Sequence, residues 1–151
     1  MVSLLTVLND FPEAVGVIAL SLVLGQASIL WGRVFVIGLV ATAVLYLFRL
    51  LNFDYGTLML IEIVLLAIVI TKLTVVPLTK CIITVSASVV ILFGLKYFTQ
   101  YFSLTMAGVD VRLIAGLLHA FLMIMIAKLV LKFYKPAQDS WKKQAFCGFR
   151  F

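Results

Sequence analysis

The chain is laid out as long apolar runs separated by short polar breaks. The runs cover residues 14–31, 34–51, 57–76, 78–98 and 112–134, and the last of them, with its neighbour Val111, reads VRLIAGLLHAFLMIMIAKLVLKFY down to Tyr134. About 20 apolar residues in helical form cross the hydrocarbon core of a bilayer. Each run therefore predicts a membrane-spanning helix, and together they predict an all-α polytopic integral membrane protein with about five helices in one small bundle. The first run is the weakest of the five. It is short, with Gln26 and Ser28 near its end, and it can be read either as a full span or as a half-inserted helix.

The breaks set the expected organisation. Phe11-Pro12-Glu13 suits the opening of the first helix, because proline is tolerated in a helix's first turn. Residues 1–13 then form a short extracytoplasmic segment, and 14–134 the transmembrane bundle. A tight connection at Trp31-Gly32-Arg33 would make the first two spans an antiparallel hairpin. Asn52-Phe53-Asp54-Tyr55-Gly56 reads as a compact turn. Pro77, flanked by Lys72 and Lys80, should break the chain between the third and fourth spans. The longest internal loop falls at 99–110, beside Tyr97, Phe98, Tyr101 and Phe102, as expected of an interfacial aromatic belt. Residues 135–151 then make a basic-aromatic tail.

Composition agrees with lipid as the solvent. The chain is 65% hydrophobic without counting glycine, its mean hydropathy is +1.25, and 12% of its residues are charged. Soluble domains are about 45–50% apolar with glycine included, and a globule of this size has too little interior to hide the excess. The net charge of +6 would suggest a nucleic-acid partner in a soluble protein. In a membrane protein the positive-inside rule accounts for it, and no nucleic acid is expected.

With five spans and a cytoplasmic C-terminus, nine basic residues (Arg33, Lys72, Lys80, Lys128, Lys132, Lys135, Lys142, Lys143 and Arg150) lie inside, against three (Arg49, Lys96 and Arg112) outside. The expected topology is multi-pass in the cell membrane, N-terminus outside. A cleavable signal peptide is not expected, since the first basic residue is Arg33. Cys81 and Cys147 have neither metal-ligand nor haem spacing and read as free thiols.

Candidate chemistry is sparse. Glu62 stands five residues after Thr57 inside the third run. An ionisable group there costs at least about 2.5–3.5 kcal/mol and normally faces other helices with a partner, for which Arg49, Lys96 and Arg112 are candidates. His119, about two turns into the last run, suits a helix–helix hydrogen bond, and Lys96 suits snorkelling to the headgroups. Lys128, Lys132 and Lys135 share one helical face as a basic collar for anionic lipid at the inner leaflet. Trp141, Phe146, Phe149 and Phe151 in the tail suit a lipid interface or a groove on a partner. Known nucleophile, zinc-protease and phosphate-loop motifs are absent from the sequence, so neither catalysis nor a cofactor or metal is expected.

The hydrophobic hairpin at the start, VLYLFRLLNFDYGT, the lysine-proline-lysine neighbourhood around Pro77, and RLIAGLLHAFLMIM occur in an order that resembles the membrane sensor region of Gram-positive histidine kinases of the accessory-gene-regulator type. The resemblance covers most of the chain. It implies a sensor module that signals through a partner, here without the dimerisation and ATPase segments that follow the membrane region in that family. Three functions are therefore expected to compete. One is a regulatory or sensory module for signal transduction, acting through helix packing and a protein partner. A second is a membrane subunit of a transporter or energy-converting complex with Glu62 as ion or proton site. The third is a structural or assembly protein forming homo-oligomers.

Overall fold

The computed structural model describes residues 4–51, 53–103 and 111–133, with side chains from residue 10 onward except at 55 and 100–115. Five α-helices follow one another: α1 (Leu4–Leu24), α2 (Trp31–Leu50), α3 (Tyr55–Leu73), α4 (Leu78–Ser103) and α5 (Val111–Phe133). No strand occurs among the described residues. The protein is an all-α helical bundle of membrane type. Four helices, α2 to α5, contain spans long and apolar enough to cross a bilayer. Their outer faces are apolar: Leu39, Leu60, Ile83 and Val90 stand 62–68% exposed. Only 22–33% of the residues in each span are buried. Such surfaces are stable against acyl chains and costly in water.

The first run departs most from expectation. Its helix does not open at Phe11-Pro12-Glu13. It is already formed at Leu4, carries Pro12 in its interior and ends at Leu24 rather than at 31. Most of the residues expected to form a separate outer segment are thus the first turns of α1. The physical reason is that a backbone out of water must bond to itself. Pro12 removes one N–H from the ladder, and the apolar sequence on both sides keeps the helix going. The link to α2 correspondingly falls at 25–30, and Trp31-Gly32-Arg33 is the first turn of α2.

That link begins with a Schellman-type cap. Ala27 N–H donates to Leu22 O at 2.8 Å and Gln26 N–H to Val23 O at 2.9 Å, with Gln26 at φ 62° in the left-handed position usually given to glycine. The break at Pro77 falls where the sequence puts it, whereas Tyr55 and Gly56, expected in a turn, open α3, and Thr99 to Ser103, expected in a loop, extend α4. Asp54 caps α3, its carboxylate accepting from Thr57 N–H at 2.9 Å and from the Thr57 hydroxyl at 2.5 Å.

α1 is the core of the bundle. It packs against α2, α4 and α5, while α3 closes against α2 and α4. Every residue from 13 to 23 is buried, as expected of a helix that is apolar all round. Small residues allow the approach. A Cβ on Gly38 of α2 would come within 2.8 Å of Val15 Cγ2, and one on Gly16 within 3.0 Å of Met123 Cβ on α5. Hydroxyls join the same packing at mid-bundle, where Ser21 Oγ on α1 lies 3.0 Å from Ser88 Oγ on α4. Cys81 is a buried free thiol, and Cys147 lies outside the described residues.

Candidate functional site

The central position of α1 carries two acids into the bundle. Asp10 and Glu13 are three residues apart and so share a face of the helix. Asp10 pairs with Arg49 from the last turn of α2. Glu13 is 4% exposed and binds on both oxygens. Its Oε2 accepts from Lys96 Nζ of α4 at 2.5 Å, and its Oε1 lies 3.1 Å from His119 Nδ1 of α5. The second ring nitrogen of His119, Nε2, is 2.7 Å from Thr99 Oγ1 on α4. One buried carboxylate therefore ties together α1, α4 and α5. Desolvating such charges costs several kcal/mol per ion, and is tolerated where geometry and hydrogen bonds compensate.

Thr99 is placed to serve either protonation state of His119. Its oxygen also lies 3.0 Å from Leu95 O and 3.1 Å from Lys96 O. Opposite a neutral imidazole protonated at Nδ1, the threonine hydroxyl donates to Nε2. Opposite an imidazolium, it accepts from Nε2–H and donates to a backbone carbonyl. No polar atom loses its partner in either case.

Beside these pairs lies a cavity of about 50 Å³, lined by Asp10, Glu13, Arg49, Glu62 and Lys96 and walled by apolar side chains such as Leu45 and Leu92. One water needs roughly 10–15 Å³ by the same measure, so a few fit. Glu62 forms no ion pair among the described residues, unlike Asp10 and Glu13. Eight residues after the Asp54 cap, it sits about 12 Å further along α3, at hydrocarbon depth if the cap marks the interface. Among the described side chains the cavity thus holds three carboxylates against two basic groups, and each basic group is already paired.

Of the residues singled out from sequence, Arg49, Glu62 and Lys96 line this cavity, and His119 reaches it through Glu13. Their pairing differs from expectation. Arg49 and Lys96 serve Asp10 and Glu13 rather than Glu62, and Lys96 turns inward instead of snorkelling outward. The reason is α1, which brings two further carboxylates closer to them. Arg112 lies in the first turn of α5, with its side chain outside the described set. Lys128 and Lys132 are exposed near the other end of α5. Lys135, Trp141, Phe146, Phe149 and Phe151 lie outside the described residues.

Sequence reasoning missed Asp10, Glu13 and Thr99. The available signal was a pair of acids at helical spacing against an apolar run, and Pro12 between them turned the reading toward a helix start. Thr99, His119 and Glu13 also stand in the order of nucleophile, base and orienting acid. Thr99 does not line the cavity, and its hydroxyl has the Leu95 and Lys96 carbonyls as acceptors. Among the described residues no group of three or more His, Cys, Asp or Glu is placed to hold a metal ion. Comparison with protein-family models, curated proteins and solved structures finds no match.

Proposed function

We propose that the protein is a non-catalytic, multi-pass membrane module that takes up a proton or small cation in the ionic cavity and answers with a change in helix packing. The observation that carries this reading is Glu62, a carboxylate without an ion-pair partner among the described residues, lining a cavity whose other charges come from α1, α2 and α4. Intramembrane ionisable groups are costly and mark ion paths, relays or switches. Among the described side chains, α1 to α4 each contribute a charge to the cavity wall, and α5 is tied to Glu13 through His119. A change of charge at Glu62 therefore acts on the packing of the whole bundle.

The resemblance to kinase sensor regions favours a regulatory role, with the packing change passed to a protein partner. Lys128 and Lys132, exposed near the end of α5, suit anchorage at anionic lipid, and the tail from 135 to 151 suits contact with that partner. In the orientation given by the positive-inside count, the cavity lies toward the outer leaflet and the tail is cytoplasmic.

Glu62→Gln keeps the shape of the side chain and removes its charge. The variant should insert and express as the wild type does, yet lose the pH or cation dependence of its helix packing, read as protease or thiol-labelling protection in membranes. A variant with unchanged dependence removes Glu62 from the site. A proton flux across vesicles containing the purified wild-type protein would instead favour a subunit of a transporter or energy-converting complex.

A further inference from the structure

Among the described side chains, the charges around the cavity do not balance without a proton. The side chains brought together are Asp10 and Glu13 from α1, Arg49 from α2, Glu62 from α3, Lys96 and the neutral Thr99 from α4, and His119 from α5. With every carboxylate ionised and the imidazole neutral, three negative charges face two positive ones. A net charge is expensive at this depth. Of the arrangements neutralised by one proton, two leave Asp10 and Glu13 ionised beside their cations: Glu62 protonated with His119 neutral, or Glu62 ionised with His119 as imidazolium. Both need one added proton.

From this geometry we infer that the cluster holds one mobile proton with two stations, the Glu62 carboxyl in the cavity and the His119 imidazole behind Glu13. This rests on the functional reading above and names the ligand of the same site. Both stations are built to receive it. At His119 the proton adds at Nε2, and the Thr99 hydroxyl turns its own hydrogen from Nε2 to the Leu95 or Lys96 carbonyl, so that no atom is left unpaired. Glu13, then facing a cation on each oxygen, holds Lys96 less exclusively. Lys96, whose side chain is 31% exposed and lines the same cavity as Glu62, turns toward the ionised Glu62. Moving the proton back to Glu62 returns Lys96 to Glu13. The cavity suits a proton better than a metal cation. An alkali or alkaline-earth ion needs several oxygen ligands, and the carboxylates of Asp10 and Glu13 are already engaged. A proton needs the one that is left.

His119 is the only histidine in the chain, so isotope-labelled imidazole reports on it alone, while infrared absorption reports protonated carboxyl. The full-length protein in lipid is taken from about pH 5 to 8, where an imidazole exchanges its proton. In the wild type the imidazolium fraction and the protonated-carboxyl fraction should both be partial over a shared window and sum to about one proton per chain, as coupled sites do. Glu62→Gln should abolish the carboxyl signal and leave the imidazole neutral across that window. His119→Gln should hold the carboxyl signal at full amplitude through it. The side chain of Arg112, seven residues before His119 in the sequence, lies outside the described residues. Arg112→Gln should leave both signals in place.

The inference is overturned if Glu62→Gln leaves the imidazolium signal unchanged, or if the wild type shows no protonated carboxyl. It fails equally if Arg112→Gln acts as Glu62→Gln does. Replacing sodium by a bulky organic cation at constant ionic strength should change nothing, and loss of the carboxyl signal only when sodium is present would make the occupant an alkali ion. Should the variants misfold, the one-proton sum in the wild type still decides. Two independent titrations, with the packing response still lost in Glu62→Gln, would remove the shared proton and leave the functional reading standing.

Discussion

The two ends of the bundle satisfy their buried polar groups by different means. Toward the middle and the Pro77 end the polar side chains are mostly hydroxyls, each bonded to the carbonyl one turn back in its own helix: Ser21 to Val17 at 2.6 Å, Ser88 to Thr84 at 2.8 Å, Thr71 to Ala67 and Thr74 to Ile70 at 2.7 Å. Toward the Asp54 end the partners belong to different helices. Arg49 and Asp10 are 39 positions apart, and His119 and Glu13 are 106 apart. A hydroxyl bonded within its helix stays satisfied however the helices shift. A carboxylate bonded across three helices is satisfied in only a few arrangements, and its bonding changes with protonation. One end is therefore held by bonds that survive a shift of the helices, and the other by bonds that hold the helices in one arrangement.

The sharpest way to break this contrast is Glu13→Leu. It leaves Lys96 and His119 without their anion in a site where Glu13 itself is 4% exposed. Removing one member of a buried pair costs about 3–5 kcal/mol, and the lower figure is expected because Lys96 is partly exposed. The measurement is the loss of helical signal on heating in detergent. A loss below that of the next variant would mean the ionic end is not the tighter one.

At the other end, Ser88→Ala removes the bond to Ser21, whose hydroxyl keeps the Val17 carbonyl as acceptor. About 0.6 kcal/mol is typical of such an interhelical hydrogen bond, and no dependence on pH should appear.

The smallest effect belongs to the exposed Asp54 cap. The Thr57 hydroxyl and N–H hold its carboxyl below the usual aspartate range. A depressed value in the folded state contributes stability above that range, and this is lost as pH falls through it. Asp54→Asn should retain the cap and abolish this acid-side dependence, read from thermal melts at mildly and strongly acidic pH. Retention of the dependence in the asparagine variant would assign it to another acid.

How far the sequence reaches follows from which interactions are local. The helices at 34–51, 57–76 and 78–98 were legible because run length and lipid thickness decide them, and so was the break at Pro77, while α3 opens two residues earlier and α4 runs on to Ser103, past the expected loop start at Thr99. Glu62 stood out because a charge inside an apolar run is rare whatever surrounds it. Its neighbours were legible in part: Arg49 and Lys96 do line the cavity with it, but the carboxylates that pair with them were not foreseen. Lys96 looked like a snorkelling lysine because nothing near it in the chain is acidic, and Glu13 looked like part of an outer segment because Pro12 precedes it.

The sequence by itself determined that this is a helical membrane protein, roughly how many helices it has and where they turn, since apolar run length and proline act within a few residues. Only the tertiary structure decided that α1, the least convincing span, is the central helix, and that Asp10 and Glu13 claim the cations that Glu62 was expected to use. Apolar faces carry no address in lipid: any of them can pack on any other. The choice among them is made by close approaches such as Gly38 on Val15 and by charges that find each other only after the bundle has assembled.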